Sequence, residues 1–247
     1  RYARELGVDI TEVPGTGPGG RIGQADVKEH VKSLLAGGRR PSAQPLPDFS
    51  RWGGIDVQPM SNIRRTTAER LSSAWESVPH VTQFDKADVT ELEAFRSRFA
   101  SRVEKAGGKL TVTAILLKVV ALALERFPQF ASSVDMANQA IIYKRYCHVG
   151  IAVDTPNGLL VPVIRDVDRK TITELAVELA TVSQKARDRK LSLDDMSGGV
   201  FTISNLGGIG GTAFTPIVNA PEVAILGVSR GTIEPVWRDG EFVPRQG

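Results

Sequence analysis

Two stretches of this 247-residue chain set small and polar residues where chemistry could follow. FTISNLGGIGGTAFTP (201–216) places Ser204 and Asn205 just ahead of four glycines in five positions, and GTGPGG (15–20) spells a full G-x-G-x-x-G. Such runs can cradle a nucleotide phosphate, but only with a strand before, a helix after and an acidic residue about twenty positions on. GTGPGG follows residues patterned as helix, in a unit too small for a βαβ fold. The later run follows a strand, yet GTAFTPIVNAPE carries Thr, Pro and Asn where the phosphate-binding helix would begin. Neither is a dinucleotide site. Nor is Ser204 in a hydrolase elbow, since the first glycine of G-x-S-x-G is missing.

The other candidates are weaker. Cys147 and His148 are adjacent in YKRYCHVG, and neighbours along a strand point to opposite faces, which argues against a Cys–His nucleophile. His30 and His80 read as structural or surface residues. None of the three histidines has a second histidine or cysteine at ligand spacing, so no metal is expected. From chemistry alone, Ser204 with Asn205 at a strand end beside a flexible loop is the one well-placed polar group.

Composition removes several classes. With 41% hydrophobic and 24% charged residues the chain has the material for a packed core. A net charge of +3 without basic–aromatic interleaving gives no nucleic-acid signature. A single cysteine cannot form an internal disulfide, so a reducing compartment is expected, bacterial cytoplasm or mitochondrial matrix. LTVTAILLKVVALALERF carries Lys118 in its middle and reads as a buried helix, not a membrane span.

The elements that must position Ser204 follow from periodicity. Residues 1–36 read as two short helices around a glycine loop, with Val27, Val31 and Leu34 on one face of the second. A Pro/Ala/Gly-rich linker is expected over 37–53, and an α/β core with a mixed sheet over 54–247. Within the core, NIRRTTAERLSSAWESV is a helix stopped before Pro79, and HVTQFDKADV alternates like a strand. Thr90/Glu93 and Thr171/Glu174 each spell a capping box. AIIYKRYCHVGIAVDT reads as one long strand, PNG as a turn, LLVPVIRDV as the next strand, and the end of the chain is strand-rich.

At this length the sequence resembles a known family, the dihydrolipoamide acyltransferases of 2-oxo acid dehydrogenase complexes. RYARELGVDITEVPGTGPGGRIGQADVKEHV is similar to their peripheral subunit-binding domain. MSNIRRTTAERLSSAWESVPHVTQFDKADVTELE, HVGIAVDTPNGLLVPVIRDVD and FTISNLGGIGGTAFTPIVNAPEVAILGVS resemble three successive parts of their core. The resemblance implies a chloramphenicol-acetyltransferase-like core preceded by the small helical domain. It also implies self-trimers assembling into a cubic or dodecahedral cage of twenty-four or sixty subunits. The implied reaction moves an acyl group between coenzyme A and a dihydrolipoyl group carried on a lipoyl domain outside this chain. WESVPHVTQFDKADVTELEAFR is most similar to the acetyltransferases of pyruvate dehydrogenase, with the succinyltransferase of the 2-oxoglutarate complex as the alternative.

Carried over residue by residue, the resemblance assigns Ser204 as hydrogen-bond donor to the oxyanion, a contribution of about 2.7–4 kcal/mol to such a barrier. Asn205 accompanies it. The glycines that follow would let backbone and the pantetheine arm approach closely. Coenzyme A contacts map to Arg96, Thr111, Asp154, Ser183, Ser229 and Gly231. The alternatives are a solvated arginine for Arg96, a turn residue for Asp154 and an ordinary helix-face serine for Ser183. Arg4 and Arg21 map to basic positions that would meet acidic patches of the partner decarboxylase or dihydrolipoamide dehydrogenase, the alternative being solvated charge. The family's general base is a histidine in a His-x-x-x-Asp/Asn-Gly motif, and none of His30, His80 or His148 has that context. The motif is expected beyond Gly247 in a longer protein; a non-catalytic core component that binds the dehydrogenase is the alternative.

Overall fold

A computed structural model describes residues 2–36 and 45–247, and the chain divides into two compact units between Gln58 and Pro59. Most of the expected linker, 37–44, and the side chain of Leu34 lie outside the described residues.

In the first unit α1 (Tyr2–Glu5) and α2 (Gln24–Ala36) close on a small core of Ala3, Val13 and Val27, with Tyr2, Val8, Ile22 and Val31 packed around it. The glycine loop between them is held by one carboxylate. Asp26 accepts the Thr16 hydroxyl at 2.6 Å, the Thr16 N–H at 3.3 Å and the Gly23 N–H at 2.8 Å. These bonds hold its carboxyl below the usual carboxylate range, the Thr16 hydroxyl contributing most. The loop is thus a structural turn with its donors turned inward.

The second unit has four long helices: α3 (Asn62–Ser77), α4 (Thr90–Lys105), α5 (Val112–Arg126) and α6 (Ile172–Arg187). No helix among the described residues is long and apolar enough to cross a membrane. Lys118 explains itself: its ammonium leaves the apolar face of α5 to donate to the carbonyls of Asp168 and Lys170, at 2.6 and 3.0 Å. The strands are β1 (Ser132–Asp135), β2 (Ala140–Tyr143), β3 (Val149–Ile151), β4 (Val153–Thr155), β5 (Gly158–Leu160), β6 (Val163–Ile164), β7 (Phe201–Asn205), β8 (Ile225–Val228), β9 (Ile233–Arg238) and β10 (Glu241–Gln246). The central sheet runs β6-β3-β7-β8, with β6 antiparallel to β3 and the other pairs parallel. It is the mixed sheet expected. α5 packs on β7 and on α6, and their shared core includes the fully buried Leu117, Val149, Ile164, Leu175 and Ile203.

Four local expectations are corrected. Residues 80–89 form no strand; the segment has no ladder partner among the described residues, and Val81 and Phe84 are exposed. The long strand over 140–155 is three short ones, because β2 pairs with β1, β3 with the central sheet and β4 with β5; one straight strand cannot serve three partners. Likewise 159–167 breaks at Pro162 into β5 and β6. The Thr90–Glu93 box does not form. Asp88 takes both the Thr90 N–H and its hydroxyl, at 3.1 and 2.6 Å, while Glu93 turns to Arg96. Its twin at Thr171–Glu174 forms completely and opens α6.

Candidate active site

The period of a strand sorts the residues of β7. Ile203 is buried in the core and Asn205 reaches α5, where its Nδ2 donates to Thr113 Oγ1 at 2.9 Å. Asn205 Oδ1 accepts the Gly207 N–H at 2.7 Å, which turns the chain into the glycine loop. Thr202 and Ser204 face the opposite side. Ser204 is half-buried and pairs in register with Gly227 of β8. Among the described residues its hydroxyl has no hydrogen-bonding partner.

The loop that follows, 206–224, folds back over this face. Leu206 N–H donates to Val228 O at 2.9 Å, so the first loop residue is still tied to β8. Phe214 and Pro216 lie over Gly227: a Cβ there would stand 2.9 Å from the phenyl ring and 3.3 Å from the proline. Neighbours across a ladder present side chains to one face, so Phe214 lies on the same face of the sheet as the Ser204 side chain. Gly208, Gly210 and Gly211 have open space where a Cβ would be. The site is therefore a partner-free hydroxyl at a strand end, on the face that Phe214 covers and opposite the locked Asn205 amide, at the mouth of an uncrowded loop. Such an arrangement can donate one preorganised hydrogen bond to charge developing on a carbonyl oxygen.

The fold of that site is shared with known proteins. The model for the 2-oxoacid dehydrogenase acyltransferase catalytic domain matches residues 53–247, and that for the E3-binding domain matches residues 1–28. The chain belongs to the 2-oxoacid dehydrogenase acyltransferase family. The dihydrolipoyllysine-residue acetyltransferase components of the pyruvate dehydrogenase complexes of Pseudomonas aeruginosa and Azotobacter vinelandii are 51% and 50% identical to it. Those alignments take in 98% and 99% of this chain but 46% and 40% of the relatives, so the chain spans about half the length of the curated relatives it matches. The Azotobacter vinelandii dihydrolipoamide acetyltransferase, solved to examine a serine, a histidine and an asparagine in its mechanism, superposes with a TM-score of 0.80 at 55% identity. That match covers 82% of this chain and 83% of the other. The cubic core of a pyruvate dehydrogenase multienzyme complex superposes equally well, with a TM-score of 0.80 at 54% identity over the same shares.

The other residues expected at the site fall on several elements of the second unit. Thr111 caps α5, accepting the Ala114 N–H at 3.2 Å, two residues from the Thr113 that holds Asn205. Ser229 follows β8, its carbonyl beside Gly207. Gly231 lies next to Gln246, whose N–H donates to the Thr90 hydroxyl at the start of α4, the helix that carries Arg96. Arg96 itself is engaged by Glu93, with Nε 2.8 Å and Nη2 2.7 Å from one carboxylate oxygen. Ser183 is half-buried on α6 and Asp154 exposed on β4; no hydrogen bond among the described residues joins either to β7 or its loop. In the first unit Arg4 and Arg21 are exposed.

Two of the three histidines take structural posts. His80 Nε2 accepts the Val218 N–H at 3.0 Å, which puts its ring proton on Nδ1, donating to Val78 O at 2.7 Å. His148 Nδ1 accepts the Asp166 N–H at 3.1 Å. Cys147 lies in the bend between β2 and β3, not mid-strand, and burial pushes its thiol up to about 11, so it is protonated at neutral pH. Sequence reasoning missed Thr113, Phe214 and Glu222. The alternation Thr202-x-Ser204 was the one available signal, since it put a second hydroxyl on the Ser204 face.

Proposed function

We propose that the second unit transfers an acetyl group between coenzyme A and a dihydrolipoyl thiol, with Ser204 donating to the oxyanion. The observation that carries this reading is the unpartnered, half-buried Ser204 hydroxyl on a strand end whose neighbours are all tied down. Attack of the dihydrolipoyl thiolate on acetyl-CoA forms one C–S bond and moves the carbonyl electron pair onto oxygen. Collapse of the tetrahedral intermediate breaks the C–S bond to coenzyme A, whose thiolate takes up the proton first removed from the attacking thiol. The negative oxygen gains a donor that the strand has already oriented, so no reorganisation is needed at the moment of reaction. The proton is assigned to the general base that the family resemblance implies, in a His-x-x-x-Asp/Asn-Gly motif; within this chain His80 is committed at both ring nitrogens and His148 at Nδ1.

Thr111, Ser229 and Gly231 lie in the elements around Ser204 and would hold the coenzyme, with Arg96 on its phosphates. The acetyl group follows the names of the relatives at 51% and 50% identity. Assembly of the unit into a cage follows its likeness to a cubic core, and docking of dihydrolipoamide dehydrogenase through Arg4 and Arg21 follows the match of the first unit to an E3-binding domain. The deciding experiment is acetyl transfer from acetyl-CoA to dihydrolipoamide by the full-length protein. Ser204→Ala is expected to lower kcat by about 10²–10³ without unfolding the protein. A full rate in that variant removes Ser204 from the role. A faster rate with succinyl-CoA moves the protein to the 2-oxoglutarate complex, and no transfer with either thioester makes it a non-catalytic core component.

A further inference from the structure

Glu222 is 4% exposed and is the one carboxylate fully buried among the described residues. It ends the 206–224 loop, and its site is built for it. Oε2 accepts the hydroxyl of Thr202, itself 1% exposed, at 2.7 Å, and Oε1 accepts Asn219 Nδ2 at 3.2 Å. Its own N–H donates to Asn219 O at 3.0 Å. Gly150 on β3 makes the room: a Cβ there would stand 2.8 Å from the Thr202 hydroxyl oxygen. One residue back, the Pro221 carbonyl accepts Ser133 Oγ, which in turn takes a hydrogen bond from Lys144 Nζ at 2.8 Å. Lys144, just past β2, is the charged group that acts on Glu222; Thr202, Asn219 and Ser133 carry no charge.

This network ties the loop back to the strand it left. Leu206 binds β8 at one end, and Glu222 binds Thr202 at the other, two residues before Ser204 and on its face. Between those ties Phe214 is pressed onto Gly227, the register partner of Ser204. The geometry points to Glu222 as a positioning residue for the oxyanion donor: by clamping the loop end onto Thr202 it holds β7 in register and seats Phe214 on the face that carries Ser204. The inference rests on the role of Ser204 proposed above. Burial pushes the Glu222 carboxyl up to about 7, opposed by the Thr202 and Asn219 hydrogen bonds and by Lys144, so the clamp changes protonation state near neutrality.

The test uses the full-length assembled protein, with Glu222→Ala, Glu222→Gln and Thr202→Val, steady-state acetyl transfer over pH, and amide hydrogen exchange. Misplacing an oriented group by an ångström can cost about 10²-fold, so Glu222→Ala is expected to lower kcat about tenfold or more while KM for acetyl-CoA changes less than about twofold. Exchange is expected to accelerate over 203–214 but not in the β3–β6 pair. Glu222→Gln, which keeps an acceptor for Thr202, is expected to restore most of kcat and to remove the change in rate near pH 7. Wild-type exchange over 203–214 in Glu222→Ala, or wild-type kcat in both Glu222 variants, overturns the inference. If Glu222→Ala fails to fold, Thr202→Val and Glu222→Gln decide: wild-type exchange in the first and a wild-type pH profile in the second overturn it. If the unaltered protein transfers no acetyl group, the functional reading fails, and hydrogen exchange alone judges the clamp.

Discussion

The Asn205 side-chain amide donates to Thr113 Oγ1 at 2.9 Å, joining the end of β7 to the first turn of α5 across 92 positions of sequence. Its carbonyl oxygen meanwhile accepts the Gly207 N–H at 2.7 Å. The residue next to Ser204 is thus fixed from both sides. Asn205→Ala orphans both partners, and each lost bond contributes about 0.5–1.5 kcal/mol. The urea midpoint is expected to fall accordingly. Asn205→Asp keeps an acceptor for Gly207 and for the Thr113 hydroxyl and is expected to lose less. Equal midpoints for the wild type and the alanine variant would show that the amide anchors nothing.

Gly227 is a packing position. A Cβ there would meet the Phe214 ring at 2.9 and 3.2 Å, inside normal contact. Gly227→Ala must therefore displace the ring, and overpacking of this kind costs about 1–3 kcal/mol. In a Phe214→Ala background the same methyl has room. A double-mutant cycle is expected to show a smaller cost for Gly227→Ala in that background, and additive changes would mean that Phe214 does not bear on Gly227.

What the sequence disclosed depended on how local the cause was. Thr171 and Glu174 form their box because both partners lie within one helical turn. Thr90 and Glu93 spell the same box and do not form it, because Asp88 holds the Thr90 N–H and hydroxyl, Gln246 bonds that hydroxyl from 156 positions away, and Arg96 draws off Glu93. The strand-like run over 140–155 was visible by composition, but its bends were not, since they exist to reach three different partner strands. Ser204 was legible from its place before the glycines and from the family resemblance. Glu222 was not. Alone in NAPEVAIL it looks like any surface acid, and its burial depends on Thr202 and Lys144 arriving from two other segments to join the nearby Asn219.

Glu222 also sets a pH dependence of stability. Its carboxyl titrates near 7 in the folded protein and near 4.5 when exposed. The folded state thus binds the proton more tightly, so this group's contribution is full below the lower value and is lost as pH rises through about 7. Denaturant midpoints measured from pH 5 to 8 are expected to fall for the wild type relative to Glu222→Gln, with the change centred in that window. Parallel curves would mean that the buried carboxyl is ionised throughout.

Arg96 offers the sharpest test of the proposed coenzyme contacts, because Glu93 already occupies it. One oxygen of that carboxylate takes the Nε–H and lies 2.7 Å from Nη2, which raises the guanidinium pKa further and orients its plane. The N–H groups left over point to a second acceptor, and coenzyme A would bring phosphates. Glu93 would then have two opposed effects: it aims the arginine, and its charge repels the phosphate. Arg96→Ala is expected to raise KM for coenzyme A about tenfold, a loss of about 1.4 kcal/mol, with kcat little changed. Glu93→Gln separates the two effects, since it keeps a hydrogen-bonding oxygen but removes the charge. It is expected to lower KM at low ionic strength, and the gain should shrink as salt screens the repulsion. An unchanged KM in Arg96→Ala would take the residue out of the coenzyme site. The pair would then be an ordinary i,i+3 contact on the surface of α4, worth a few tenths of a kcal/mol.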